Sequence, residues 1–535
     1  MKLRLYTAIM LLATLLGSRA QESKEQHYRI WFDDKGESAC SIERPLEFLS
    51  PRAIAYREKF GIAIDSTDLP IAPARLQQLS ALGARILAVS KWLNTATIAL
   101  DDPSRLTAIE QLPFVERYDP LGSPTQAGGT VGPHLKKLEN DSTSPYGDAA
   151  WQIAVHNGDR LHRAGFSGEG MTIAVIDGGF LNADRNPRFD QNQIAGYHDF
   201  IDETMDFRNG NSHGSSVLST MLVNDSNLFI GTAPRASYWL LRSEDTATEY
   251  PTEEDYWAAA LEYADSLGVD VVVSSLGYTR FDDSRFDHTW ADLDGRTSFI
   301  SQAAARGVAK GMLIVVSAGN EGSNDWKKIT VPGDVDGLLT VGAITTERKP
   351  AYFTGCGPTA DGRIKPDVVA LGAAAATISP EGNLQPKDGT SFSTPIIAGL
   401  TACLRQALPQ LSAREIIELI RQNSSQYLTP DSLMGYGIPD FYAAYRQGAG
   451  ISTVRPDDSP LRLTYRGGSP VVTIGTLPPD EEKITLSIYT LEGAIMAEYR
   501  LPEGAELALT DLGKGIYLLS ARSRQHCWTQ KIQRL

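Results

Sequence analysis

MTIAVIDGGF, residues 171–180, is an apolar run that stops on a carboxylate, Asp177, and is followed at once by Gly178 and Gly179. A short, near-continuous run of this kind is what a strand buried on both faces of a parallel sheet looks like. Three similar runs follow it: VDVVVSSL (269–276), MLIVVSA (312–318) and LLTVGAI (338–344). Helical stretches separate them, EEDYWAAALEYADSLG ending at Gly268 and TSFISQAAARGVAKG ending at Gly311. Strand, helix, strand in repetition predicts an α/β fold, a doubly wound and mostly parallel sheet. In such sheets functional residues gather where strands end and helices begin.

Four short segments place reactive groups at such ends. Asp177 closes the first strand, where burial desolvates it and the two glycines allow other backbone to approach. NSHGSSV carries His213 at a helix start, with Asn211 or Ser212 able to cap and Val217, Leu218 and Met221 on one face. GTSFSTPIIAG places Ser391 at a second helix start, with Pro395 expected in the first turn. There the helix dipole and the Ser391 N–H can hold developing negative charge. VVSAGNEG ends a strand at Asn320, whose amide could be a second oxyanion donor. Each residue also has a plain structural reading: a turn or cap for Asp177 and Asn320, a structural imidazole for His213, an N-cap for Thr390 or Ser391. Joint occurrence decides between them. Asp, His and Ser in that order is one of the chain orders of the Ser-His-Asp machine, and all four residues fall on α/β strand and helix ends. His198 and His288 lack such a context and read as surface or loop residues.

The flanks differ from this central region, 146–447. Residues 21–120 read as a small α+β unit, with HYRIWF and SKWLNTATIAL as strands and PRAIAYREKFG as a helix with a Gly cap. Residues 121–145 lose periodicity and gain Gly, Pro, Ser and Thr, which marks a linker open to proteolytic nicking. Residues 455–535 hold short alternating strands with Gly and Pro turns, the pattern of an all-β sandwich.

Length and composition set outer limits. At 535 residues the chain holds several domains, and 42% hydrophobic with 21% charged residues is ordinary for globular proteins. A net charge of −15 argues against nucleic acid as a partner. Residues 1–20 carry Lys2 and Arg4, an apolar stretch from Ala8 to Leu16, and Ser18-Arg19-Ala20, the layout of a cleaved signal peptide. Secretion or cell-surface display is therefore expected. The four cysteines form no Cys-x-x-Cys, and Cys356 with Cys403 is the one pair placed in a single domain. DDSRFDHTWADLDG is acidic, but Trp290 and Ser301 stand where an EF-hand loop needs oxygen ligands, so it reads as a solvated loop.

AVIDGGF, SHGSSV, SSLGY, SAGNEG and GTSFSTPIIAG resemble the signature blocks of the subtilisin-like serine peptidases, over roughly residues 146–445. The resemblance implies a triad of Asp177, His213 and Ser391, with Asn320 and Ser391 forming the oxyanion hole. It implies a cleft for protein or peptide substrates, lined by Ser275-Leu276-Gly277 and Ala318-Gly319. An extended peptide would pair with the first segment as an added strand. Two departures are small: Ser215 follows His213-Gly214 where Thr is usual, and Gly178 stands where a Ser, Thr or Ala is common. The family requires no cofactor; structural calcium is compatible with it but has no assigned ligands here. The α+β unit resembles the family's inhibitory prodomains, with FLSPRA, SKWLN and LPFVE carrying the likeness, so the chain's own prodomain would plug the cleft until cut in the linker. The tail, with GIYLLSARS and KIQRL, resembles the C-terminal sorting domain of the type IX secretion system, which would make that machinery a partner; a generic β-sandwich accessory domain is the alternative. A reading from another class, a binding scaffold without catalysis, is opposed by the complete triad.

Overall fold

The computed structural model describes residues 25–124, 144–202, 206, 210–450, 460–466, 469–477, 482–490, 494–523 and 527–534. The proposed signal peptide and most of the linker, residues 125–143, lie outside the described residues. The chain divides into two compact units, 1–441 and 442–535.

The first unit begins with a four-stranded antiparallel sheet. Strand β1 (Gln26–Phe32) pairs with β3 (Thr95–Leu100) and β4 (Val115–Gly122), and β2 (Arg85–Ser90) lies outside β3. The two-residue period of β1 sorts its side chains between two surroundings. Tyr28, Ile30 and Phe32 enter this sheet's own core with Leu79, Ile98 and Ile109. His27, Arg29 and Trp31 point the other way, onto the helix Thr252–Leu267 and Phe299 of the larger sheet's domain.

That larger sheet has seven strands. In chain order they are β5 (Thr172–Asp177), β6 (Ile194–Asp199), β9 (Ser237–Arg242), β10 (Val271–Ser274), β11 (Ile314–Ser317), β12 (Leu339–Ile344) and β13 (Val368–Leu371); a small hairpin, β7 (Asn224–Asp225) and β8 (Phe229–Ile230), stands apart. The spatial order is β13-β12-β11-β10-β5-β9-β6, and every pairing is parallel. From β5 the chain builds outward to β6 and β9 on one side, then returns to lay down β10 through β13 on the other. The switch point therefore falls between β5 and β10, and in open sheets of this kind ligands bind at such a point, outside the strands' carboxyl ends. β10, β11, β12 and β13 are buried at every position, which is why they read as unbroken apolar runs. A buried helix, Thr390–Ala407, packs against β10, β11, β12 and β13.

The second unit is antiparallel. Strands β14 (Leu461–Arg466), β15 (Ser469–Ile474) and β18 (Glu506–Ala508) form one sheet; β16 (Lys483–Tyr489), β17 (Ile495–Pro502), β19 (Gly515–Arg522) and β20 (Cys527–Arg534) form the other, in the order β17-β16-β19-β20. One apolar core, including Val472, Ile474, Leu486, Leu519 and Trp528, draws on both sheets, as the alternating pattern requires.

Candidate active site

Asp177, the last residue of β5, is completely buried at the switch point. Its Oδ1 accepts from the Gly178 N–H at 2.8 Å and stands 2.8 Å from His213 Nδ1. Glycine makes that approach possible. A Cβ on Gly214 would lie 2.9 Å from Asp177 Cβ and 2.5 Å from the Gly179 carbonyl, to which the Gly214 N–H donates at 2.9 Å. On Gly179, with φ 155°, a side chain would meet the Asn211 N–H at 2.3 Å.

His213 opens the helix His213–Leu222. Of the two expected caps, Asn211 accepts from the His213 N–H at 2.8 Å, whereas Ser212 occupies the N-cap position without a side-chain capping bond. Burial disfavours a charged ring, but the Asp177 carboxylate more than offsets it, with Glu244 adding and Lys387 opposing, so His213 titrates above its ordinary value. The ring also meets Phe392, the residue after Ser391, with centroids 5.7 Å apart.

Ser391 is the second residue of the helix Thr390–Ala407, and the N-cap is Gly389, at φ 142°, with no side-chain cap. The reading of Thr390 or Ser391 as an N-cap is thereby excluded. The position leaves the Ser391 N–H without an intrahelical acceptor. Its hydroxyl donates to the Ser275 carbonyl at 3.4 Å rather than to His213. Catalytic hydrogen bonds are commonly long or misaligned before substrate arrives. Pro395 needs a correction. It is the sixth residue of the helix, in the second turn, because the helix begins at Thr390. Its missing N–H would have bonded the Ser391 carbonyl; the Ser275 hydroxyl donates there instead, at 2.9 Å.

Asn320 follows β11 and is exposed. Its Oδ1 accepts from the Thr390 N–H at 2.8 Å and from the Thr390 hydroxyl at 3.0 Å. With the oxygen held there, the amide NH2 is the end left to donate, and Nδ2 is 3.6 Å from the Cβ position of Gly389. The Ala318 and Gly319 carbonyls accept from the Thr330 N–H at 3.2 Å and the Gly355 N–H at 2.9 Å, which fixes that stretch of backbone. Ser275, Leu276 and Gly277 follow directly on β10, and a Cβ on Gly277 would meet Thr330 Oγ1 at 2.1 Å.

Two expectations for histidines change. His288 is no surface residue: its ring is largely buried and Nε2 pairs with Glu254 at 2.6 Å. His198 lies on β6 and stacks on Tyr263 with centroids 5.2 Å apart. Cys356 and Cys403 are both free thiols. In the acidic loop, Asp292 and Asp294 accept from Thr289 and from the Arg296 and Thr297 N–H groups, so both serve as turn caps.

Glu244, which the motifs missed, comes up to the site from beyond β9. A Cβ on Gly178 would lie 2.5 Å from its Oε2. The glycine after Asp177 thus leaves room for a second carboxyl beside the Asp177–His213 pair. Burial, then the Asp177 charge, push Glu244 up to about 7.

The Subtilase family matches residues 168–437, and a Bacteroidota propeptide domain of the same peptidase family matches residues 27–130. Subtilisin E of Bacillus subtilis is 24% identical over 68% of this chain and 84% of its own. A subtilisin of Bacillus pumilus is 26% identical over 56% of this chain and 98% of its own. The crystal structure of an epidermin leader peptide processing serine protease from Staphylococcus aureus aligns with a TM-score of 0.55 at 16% identity, covering 79% of this chain and 99% of that one, a likeness of fold. This chain belongs to the subtilase family of serine proteases and carries the family's propeptide ahead of its protease domain.

Proposed function

We propose that this protein is an exported endopeptidase in which Ser391 is the nucleophile, His213 its general base and Asp177 the carboxylate that fixes the imidazole. Nδ1 of His213 faces Asp177 at 2.8 Å, which leaves Nε2 for the Ser391 proton. Ser391 Oγ attacks the peptide carbonyl, and His213 then delivers the proton to the leaving amine. Water hydrolyses the acyl-enzyme by the same route. The oxyanion lies between the Ser391 N–H and Asn320 Nδ2, donors already fixed by the helix and by Thr390. The substrate pairs as a strand along Ser275-Leu276-Gly277, opposite the Ala318-Gly319 wall. The observation that carries this reading is the bond between His213 and the fully buried Asp177, together with a serine at the start of a buried helix whose next residue, Phe392, packs on the His213 ring.

The propeptide acts as an intramolecular inhibitor, and the linker is cut by the enzyme itself. Gly122, near the end of β4, packs against Tyr250 and Phe286, which brings the outgoing chain beside the loop that follows β9. The residues before it hold the helix Thr252–Leu267 through buried charged contacts. Export uses the N-terminal segment, and the β-rich tail serves type IX sorting. No helix among the described residues is long and apolar enough to cross a membrane.

Ser391→Ala tests the mechanism. Casein hydrolysis and linker cleavage should both stop while circular dichroism and the melting transition persist. Casein hydrolysis at the wild-type rate by that variant would refute the assignment. Deleting 455–535 tests the tail: the protease should then accumulate inside the cell, and undiminished export would refute the sorting role.

A further inference from the structure

Three carboxylates converge beside Asp177 on the loop and helix that follow β9. Glu244, Glu249 and Glu253 each offer an oxygen, and these oxygens lie within 4.8 Å of one another. Glu253 is 2% exposed, and neither of its carboxylate oxygens has a hydrogen-bond partner. The Tyr250 N–H faces it without closing such a bond. Its neighbours in the first turn of the helix Thr252–Leu267 are satisfied: Glu254 pairs with His288, and Asp255 with Arg29 and Thr97. The helix dipole favours an acid in this turn but gives Glu253 no donor. The Tyr278 hydroxyl, fully buried and also without a partner, feels the same three carboxylates.

We propose that Glu244, Glu249 and Glu253 form a binding site for a calcium ion next to Asp177. Oxygens within 4.8 Å of one another suit an ion at their centre with Ca–O distances of about 2.3–2.6 Å. All three donors are carboxylate oxygens, which select a hard cation over a transition metal. Among the described residues no Lys or Arg forms an ion pair with any of the three, so a divalent ion balances charge that the chain leaves open. Asp282, whose carboxylate accepts from the Glu249 N–H, and Glu321 add further negative charge on that side. Glu244 and Glu249 are only half-buried, which leaves one side for waters to complete the six to eight ligands calcium prefers. Gly178 contributes by absence, since a Cβ there would press on the Glu244 carboxyl. The site rests on its own geometry, independent of the proposed catalytic roles.

The test uses the full chain carrying Ser391→Ala, which stops self-digestion, stripped with EDTA and titrated with calcium chloride by calorimetry. Terbium luminescence sensitised through Tyr250 and Tyr278 gives a second readout. Saturable binding with a dissociation constant of about 10⁻⁴ M is expected, with a rise in melting temperature of about 5 °C at saturation. Glu253→Gln should weaken binding by about 100-fold, and the half-buried Glu249→Gln tests the same site where Glu253→Gln fails to fold. No saturable binding below about 10 mM calcium would overturn the proposal, as would undiminished binding by the folded triple Glu→Gln variant. A Glu253→Gln protein that binds calcium normally but loses cleavage after lysine- or arginine-containing sequences would also overturn it, making the cluster a subsite for a basic side chain. Fluorophosphonate labelling of the wild-type enzyme reports on Ser391 separately, so failure of this site and failure of the proposed mechanism are told apart.

Discussion

Replacing Arg29 by alanine should release the propeptide's grip on the protease domain. Arg29 donates from Nε to Asp255 Oδ1 at 2.7 Å and from Nη2 to Oδ2 at 2.5 Å, with the two side chains 8% and 2% exposed. Its guanidinium also lies 3.6 Å over the Phe299 ring. Without it, Asp255 keeps only the Thr97 hydroxyl at 2.6 Å while still covered by the propeptide sheet. Breaking one side of a buried pair costs about 3–5 kcal/mol, because the other charge stays desolvated and unpaired. At about 1.4 kcal/mol per decade this weakens inhibition by the cleaved propeptide roughly 150- to 4,000-fold. The sign with pH follows from Asp255. Burial raises its pKa in the complex, and Arg29 pulls it back down. Removing Arg29 leaves the raised value uncorrected, so binding takes up a proton and strengthens as pH falls. The assay is the inhibition constant of propeptide 25–124 against the mature enzyme between pH 5 and pH 8, which should show the deficit of Arg29→Ala shrinking toward the acid end. Asp255→Asn in the enzyme should recover part of the loss. A change under about tenfold, or a deficit that does not vary with pH, would refute the reasoning.

The same clasp should weaken at Glu262, whose carboxylate accepts from the Ser90 hydroxyl at 2.6 Å and from the Lys91 and Trp92 N–H groups at 2.8 and 3.1 Å. Glu262→Ala should raise the same inhibition constant by about 10- to 100-fold, read by titrating activity with propeptide. Because the Asp177 carboxylate holds His213 above its ordinary value of 6.5, kcat/KM should fall as pH drops through that raised pKa and the base protonates. Asp177→Asn should move this limb to lower pH and cut kcat by about 10⁴, seen in a pH–rate profile. Asn320→Ala should lower kcat by about 10²–10³ with little change in KM, the size typical of removing an oxyanion donor from a subtilisin, where it is best known. Ser275→Ala leaves the buried Ser391 carbonyl unpaired and should cost about 1–3 kcal/mol in thermal unfolding; adding Pro395→Ala should restore part of it by returning an N–H to that carbonyl.

The sheet and the reactive groups were readable from local pattern because their determinants are local. Four apolar runs correspond to β5, β10, β11 and β12, since strands covered on both faces have no polar positions to hide. The edge strand β6 was missed: IAGYHD alternates, and its His198 packs on Tyr263 of a distant helix. Asp177 and His213 announced themselves through adjoining glycines, whose purpose is the close approach of two backbones. The position of Pro395 was misjudged because a hydroxyl looked like the cap when Gly389 held that place. His288 and Glu254, 34 residues apart, pair only after the loop between them folds back, and nothing near either one signals it. The Glu244–Glu253 cluster was hidden for the same reason. The small residue at position 178 was its one local trace, visible as a departure from the family's usual Ser, Thr or Ala.

Ser391 should react as a nucleophile only when His213 is there to take its proton. Mature enzyme treated with a fluorophosphonate and digested for mass spectrometry should carry a single adduct on the peptide containing Ser391, and the His213→Ala protein should carry almost none. An unmodified Ser391 in enzyme that still cleaves casein, or an equal yield of adduct without His213, would contradict it.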